Sequence, residues 1–235
     1  MSSRRPSGDP RVAAVIAARD EGGRVGLTVA AVRSLGVDQV VVVADGSVDG
    51  TAEEARSAGA RVLASRRPAG KGAALERGLS AAAADVYLLV DGDVGGSASA
   101  AGALLAEVLD GRADLAIGVL PRDPRHGGFR IVKRLAAGVI RLLSGFRSSE
   151  PLSGQRAVRR ELLDAVRPLA GGFGVEVAMT VDAVRGGFRV VEVPVPMDHA
   201  PTGRDLAGFA HRARQGVDLL RAAAPRALGR RWPRS

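Results

Sequence analysis

Four short apolar runs, rich in alanine and β-branched residues, alternate with helically spaced stretches through the first half of the chain. Val12 to Ala18 reads as a strand. In the "RDEGGRVGLTVAAVRSLG" that follows, Val25, Val29, Val32 and Leu35 recur at helical spacing, and Gly36 stands where such a helix ends. Val37 to Ala44 is a second strand, and "DGSVDGT" turns into a helix reaching about Ala58, with Thr51 and Glu54 spaced as a capping box. A third strand lies near Arg61 to Ala64, a helix runs from about Gly72 to Ala84, and Val86 to Val90 is the fourth strand. Strands apolar along their whole length must be covered on both faces, so the pattern predicts an α/β fold with a parallel sheet between two helical layers.

In such a sheet, ligands bind beyond the C-terminal ends of the strands. Asp20, Asp45 and Asp91 each fall where a predicted strand runs out, which places several carboxylates on one rim.

The second half is less regular. A helix from about Ala98 to Leu109 leads to a strand over Ala113 to Leu120 and to the polar loop "PRDPRHGGFR". Helical spacing returns from Ile131 to Leu143, and "EPLSGQRAVRREL" reads as loop, short strand and helix. A strand follows in "FRVVEVPVPM", then a basic amphipathic helix from about Arg204 to Ala223. That last helix suits either an anionic membrane surface or packing on the sheet. Packing is expected, with the basic end from Arg226 left free. With no internal repeat and no long linker, residues 11–224 are expected to form one domain, flanked by a disordered tail at 1–10 and a basic tail at 225–235.

Composition removes several classes. No stretch approaches the length of apolar sequence that spans a bilayer, and the polar N-terminus lacks the apolar core of a secretory signal. Cysteine is absent, so disulfides and thiolate chemistry are excluded, and a cytoplasmic location is expected. The net charge of +9 favours anionic partners. Aromatic residues make up only 3% of the chain, too few for stacking on single-stranded nucleic acid, and no nucleic-acid partner is expected.

The residues with chemical potential lie mainly on the predicted rim. Asp91 and Asp93 in "LLVDGD" are two apart on an extended segment and face the same way, while Gly92 permits close approach. Oxygen donors of this kind suit Mg²⁺ or Mn²⁺ shared with substrate phosphates. Lys71, one of two lysines in a chain with 34 basic residues, lies between Gly70 and Gly72 at a predicted helix N-terminus, a place that attracts anions. The spacing is not that of a Walker P-loop, and no GxGxxG follows the first strand.

The order "VIAARDE", "VVVADGSVDGT", "AGKGAALERG" and "LLVDGD" resembles the family 2 glycosyltransferases of GT-A fold, and "EPLSGQRAVRREL" and "GGFGVEVAMTVDAVRGGFRVVEVPV" resemble their acceptor-side segments. Within that family the chain is similar to glucosyl-3-phosphoglycerate synthases and to polyprenyl-phosphate, dolichol-phosphate mannose synthase-like, sugar transferases. The resemblance implies a Rossmann-like, mostly parallel sheet. Residues 11–96 would form the nucleotide-sugar-binding half and 97–224 the acceptor-side half. It implies transfer of a sugar from a UDP- or GDP-linked donor, with Mg²⁺ or Mn²⁺, to an acceptor carrying phosphate: a polyprenyl phosphate or a small phosphoglycerate-like metabolite.

Carried over residue by residue, the resemblance assigns Asp93 and Asp91 to the metal, with His199 as a completing ligand. Ala17, Ala18, Glu21, Asp45, Lys71, Asp91 and Gly92 fall on the nucleotide-sugar side. Arg130, Ser153, Gly154 and Arg156 fall on the acceptor side. Glu176 matches an acidic acceptor-side position and is the candidate base for a hydroxyl acceptor, which a phosphate acceptor would not require. Arg122, Arg125, Arg130, Lys133 and Arg156 are expected to cluster as a phosphate-binding surface. A peripheral membrane contact and a homodimer are compatible with the family.

The chain departs from the family's pattern at Ala17, Arg19 and Asp20, and at Ala44, which lies where the family usually has the first of two aspartates. These departures leave a second expectation open, a non-catalytic nucleotide-sugar or anionic-membrane binding protein of the same fold. A sugar-phosphate nucleotidyltransferase is disfavoured by the absence of a Gly-rich N-terminal signature.

Overall fold

The computed structural model describes residues 8–121, 129–198, 223, 224 and 226. The first half follows the predicted alternation closely. Strand β1 (Val12–Ala18) leads to helix α1 (Val25–Ser34), β2 (Gln39–Asp45), α2 (Thr51–Ser57), β3 (Arg61–Ser65), α3 (Lys71–Ala81) and β4 (Val86–Asp91). A 3-10 turn over Gly95–Ala101 then runs into α4 (Gly102–Leu109). The second half contributes β5 (Leu115–Val119), α5 (Phe129–Ser144), β6 (Arg156–Arg159), α6 (Arg160–Val166), α7 (Val175–Arg185) and β7 (Val190–Pro194).

All seven strands join one sheet in the order β3-β2-β1-β4-β6-β5-β7. Pairing is parallel except at β6, which runs antiparallel to both β4 and β5. The sheet is therefore mostly parallel with helices on both faces, as expected.

Successive side chains of β1 alternate between two cores. Val12, Ala14 and Ile16 meet Val29 and Val32 of α1 and Leu104 and Val108 of α4. Ala13 and Val15 meet Leu75 and Leu79 of α3, with Leu162 of α6 and Met179 of α7 on the same face. Ala17 lies opposite Asp91, and Ala18 opposite Ala44, so the carboxylates of β2 and β4 share one rim with the end of β1.

Three expectations need correction. Thr51 and Glu54 do not form a capping box, because Gly50 occupies the cap position with no side-chain capping bond. Glu54 instead accepts from the Gly23 and Gly26 N–H groups at 2.5 and 3.2 Å, and Thr51 Oγ1 accepts from the Glu21 N–H at 2.8 Å. Both side chains thus organise the loop after β1, whose donors have no strand partner.

The predicted helix ending at Ala223 lies largely outside the described residues, but Arg226 is not free. It is 5% exposed, and its Nε donates to Asp182 Oδ1 at 2.8 Å. A buried aspartate on α7 requires a counter-charge, and this arginine supplies it.

Finally, the sequence pattern assigns no helix to 175–185. Val175 to Ala183 are all buried, so the segment lacks the polar face that makes a helix legible.

Candidate functional site

The site is built around Lys71, the first residue of α3. Its ammonium lies 2.6 Å from Asp91 Oδ1 at the end of β4 and 2.8 Å from Glu176 Oε1 in the first turn of α7. Burial disfavours the Lys71 charge, but the two carboxylates overcome that effect and hold its proton affinity above the ordinary lysine range. A helix start, a strand end and the first turn of α7 are thereby joined through one cation.

Asp91 is fixed on its other side by Gln155, which precedes β6. Gln155 Nε2 donates to Asp91 Oδ2 at 2.9 Å, and the Asp91 N–H donates back to Gln155 Oε1 at 3.2 Å. This pairing requires Gly154 beside it. A Cβ there would sit 2.3 Å from Asp91 Oδ2 and 2.5 Å from Lys71 Nζ.

The turn after Asp91 is positioned from α1. Thr28 is fully buried, and its hydroxyl donates to the Gly92 carbonyl at 2.9 Å and accepts from the Gly95 N–H at 2.8 Å. The Gly92 N–H continues the sheet to Ala17 O at 3.1 Å. Close packing of β4 against β1 also demands a glycine here, since a Cβ on Gly92 would lie 2.8 Å from the Ala18 side chain. Glu21 shares this corner. Its carboxyl is raised to about 7, first by burial and then by the charge of Asp93, with Asp91 adding to the effect and Arg24 opposing it.

Asp45 is present on the rim but serves its own chain. Its carboxylate accepts from the Ala69 N–H at 2.9 Å, the Gly70 N–H at 2.8 Å and the Ser65 hydroxyl at 3.2 Å. It fixes the loop that delivers Lys71. Asp20 is similarly engaged, accepting from the Val48 N–H at 2.9 Å, and it has a left-handed backbone with φ of 56°.

Arg156 does not join a surface cluster. It is 1% exposed, its Nε donates to Ser153 O at 2.8 Å, and its Nη1 donates to Thr180 Oγ1 at 3.1 Å. Burial pushes its guanidinium down to about 10, against the opposing charge of Glu176. Arg156 thus supports the Ser153–Gly154 turn from beneath. Lys133 is paired with Glu150. Arg122 and Arg125 lie outside the described residues, as does the side chain of Arg130. The expected basic cluster is not assembled among the described residues.

His199 also lies outside them, though its neighbour Asp198 is held near the "DGD" turn by its N–H donating to Ser97 Oγ at 3.1 Å. Among the described residues no group of three or more acidic, histidine or cysteine side chains is arranged to hold a metal. The donors at the turn are hard carboxylate oxygens, and Asp91, Asp93 and Glu21 crowd negative charge together. That donor chemistry fits a divalent cation whose remaining ligands come from phosphate oxygens.

Two buried polar atoms remain without a hydrogen-bond partner in this region, Glu176 Oε2 and Arg156 Nη2. Buried polar groups are rarely left so unless a ligand or water meets them. Gln155 and Thr28 are site-building residues that sequence reasoning did not single out, and Glu54 was read only as a helix cap.

Comparison with known proteins identifies the family and the fold. The model of the family described as "Glycosyl transferase family 2" matches residues 13–167. A glucosyl-3-phosphoglycerate synthase of Mycolicibacterium paratuberculosis is 31% identical over 73% of this chain and 59% of its own length. A polyprenol monophosphomannose synthase of Mycolicibacterium smegmatis is 33% identical over 70% of this chain and 68% of its own. The crystal structure of a glucosyl-3-phosphoglycerate synthase from Mycobacterium tuberculosis, in complex with Mg²⁺ and UDP, superposes with a TM-score of 0.76. It is 27% identical and covers 92% of this chain and 80% of that one. The chain spans between 51% and 59% of the length of several curated relatives that it matches.

Proposed function

The chain belongs to glycosyl transferase family 2, and we propose that it moves a sugar from a nucleoside-diphosphate sugar to a phosphate-bearing acceptor. The observation that carries this reading is the bridge from Lys71 to Asp91 and Glu176, built where the parallel strands end. In the transfer, the bond between the sugar C1 and the diphosphate oxygen breaks and its electron pair stays on the diphosphate. An acceptor oxygen forms the new bond to C1; a phosphate oxygen attacks already deprotonated, and a hydroxyl would pass its proton to the Glu176 carboxylate.

Lys71 is the fixed positive charge on the side where the leaving diphosphate gains negative charge. Asp91, held in one orientation by Gln155 and Lys71, faces the donor from the end of β4. Asp93, with Asp91 beside it and His199 as the further ligand carried over from the family, would hold Mg²⁺ or Mn²⁺. When bound, the ion neutralises charge on the two phosphates. Ala17, Ala18, Glu21 and Gly92 form the donor side of the rim. Asp45 acts there through the loop that it anchors.

Glu176 accepts from Lys71 through Oε1, and its Oε2 is buried without a hydrogen-bond partner. An acceptor oxygen that is already anionic would need no base, whereas a hydroxyl acceptor would use Glu176 as its base. A polyprenyl phosphate attacks through its phosphate oxygen and needs no base, while a phosphate-bearing metabolite that attacks through a hydroxyl needs Glu176. Relatives named for a phosphoglycerate and for a polyprenol support the same class. Arg130, Ser153 and Gly154 are the acceptor-side residues of this reading.

Residues 11–224 are read as one working unit, acting in the cytoplasm, with peripheral membrane contact and homodimerisation as part of the proposal. No helix among the described residues is long and apolar enough to cross a membrane. The test is a panel of UDP- and GDP-sugars in thermal melts with and without Mn²⁺. A metal-dependent rise in melting temperature with at least one donor is expected, and its absence with every donor would overturn the reading. Donor binding without transfer to any phosphate acceptor would favour the non-catalytic binding protein.

A further inference from the structure

Helix α5 has two apolar faces. One is covered: Ala136 and Ile140 are fully buried and pack with Val177 and Val181 of α7. The other faces outward. Ile131, Leu135 and Leu142 are 75%, 48% and 84% exposed, and with exposed Gly138 they follow the four-three-four spacing of a single stripe along the helix. Among the described residues the other exposed large apolar side chains, Leu27 on α1 and Val48 in the loop after β2, lie elsewhere. A continuous stripe carries meaning that scattered exposed residues do not.

The charges beside the stripe are all of one sign. Arg134 and Arg141, two helical turns apart, are both exposed along one flank, and neither is paired with a carboxylate among the described residues. The α5 sequence, "FRIVKRLAAGVIRLLS", contains no acidic residue at all.

We propose that the outer face of α5 docks on an anionic lipid surface, with Ile131, Leu135 and Leu142 entering the headgroup region and Arg134 and Arg141 meeting lipid phosphates. An amphipathic helix whose apolar stripe is flanked by arginine has the chemistry of an interfacial helix. A second copy is a poorer occupant. Symmetric pairing would bring two arginine rows together with no carboxylate on either helix to answer them.

The proposal deepens the peripheral contact proposed above by assigning it to α5 rather than to the basic C-terminal segment, and it does not depend on catalysis. Because α5 packs on α7, whose first turn carries Glu176, the docked face lies one helix away from the acceptor side.

The test uses the full chain in sedimentation with vesicles of phosphatidylglycerol and phosphatidylcholine, compared with phosphatidylcholine alone. Wild type is expected to bind the mixed vesicles, and raised salt should release it. The double variant Leu135→Glu/Leu142→Glu should lose binding by roughly tenfold or more, because two leucine side chains no longer leave water. Arg230→Glu/Arg231→Glu should retain binding.

Absence of wild-type binding would overturn the proposal, as would unchanged binding by the leucine variant. Loss of binding in the C-terminal variant alone would do the same. Light scattering that showed the leucine variant converting a dimer into a monomer would assign the stripe to a second copy instead. A cooperative melt matching wild type establishes that each variant is folded. Donor binding is scored separately, so failure on vesicles leaves the sugar-transfer reading standing.

Discussion

The Lys71 ammonium stands between two carboxylates that belong to different parts of the chain, 2.6 Å from Asp91 Oδ1 and 2.8 Å from Glu176 Oε1. All three side chains are less than one quarter exposed, so removing the cation leaves two acids crowded in a poorly solvated place. Lys71→Met should cost about 3 kcal/mol of stability, the scale seen when one partner of a buried ion pair is lost. The cost should shrink in a Glu176→Gln background, where one of those acids is already neutral. A double-mutant cycle in chemical denaturation measures the difference, and simple additivity would show that the bridge is not energetically coupled.

Gly154 admits that bridge by having no side chain. Gly154→Ala would place a methyl group against Asp91 Oδ2 and Lys71 Nζ at 2.3 and 2.5 Å, distances that force one of them to move. Overpacking of this kind costs roughly 1–3 kcal/mol. The larger expected effect is on the donor: metal-dependent stabilisation by a nucleotide sugar should fall at least as far as in Asp93→Ala. Calorimetry of donor binding with Mn²⁺ checks this, and undiminished affinity would separate the bridge from the donor site.

How much of this was legible in the sequence depends on what each residue displays. The rim was legible because apolar strands that end in Asp45 and Asp91 are conspicuous, and their register with β1 follows from the parallel alternation. Gln155 was not, since a neutral amide gives no charge signal and its role exists only once β6 pairs antiparallel with β4. Arg156 misled for the opposite reason. A guanidinium in an arginine-rich chain reads as surface, and only the fold shows it enclosed by Ser153 and Thr180. Glu54 was legible as a helix-start residue, but it serves the start of the neighbouring α1 rather than its own helix.

Thr28 gives a test of the turn itself. Its hydroxyl is the buried partner of both the Gly92 carbonyl and the Gly95 N–H, on either side of Asp93. Thr28→Val keeps the shape and removes both bonds, which should destabilise the fold by about 1–3 kcal/mol through unsatisfied backbone groups. Donor affinity in the presence of Mn²⁺ should weaken more than melting alone explains, because Asp93 loses its fixed backbone. Thr28→Ser should restore both.

The loop between α5 and β6 offers a pH test that is independent of the donor. Glu192 on β7 accepts from the Ser148 hydroxyl at 2.6 Å, from the Ser149 hydroxyl at 2.5 Å, and from the Ser149 and Glu150 N–H groups. Burial opposes its charge, but the bonds from Ser148, Ser149 and Glu150 prevail and hold its carboxyl below the ordinary value of 4.5. A carboxylate whose proton affinity is lowered by folding contributes stability that is fully present above its unfolded value. That contribution fades as pH falls through the folded value. Wild type should therefore exceed Glu192→Gln in melting temperature at neutral pH, and the gap should narrow as pH is lowered from about 4.5 toward the folded value. Because the anchored segment leads directly to Ser153, Gly154 and Gln155, the variant should also lose affinity for a phosphate-bearing acceptor at neutral pH while donor binding is spared. A gap in melting temperature that stays constant across the acid range would remove Glu192 as the loop's anchor.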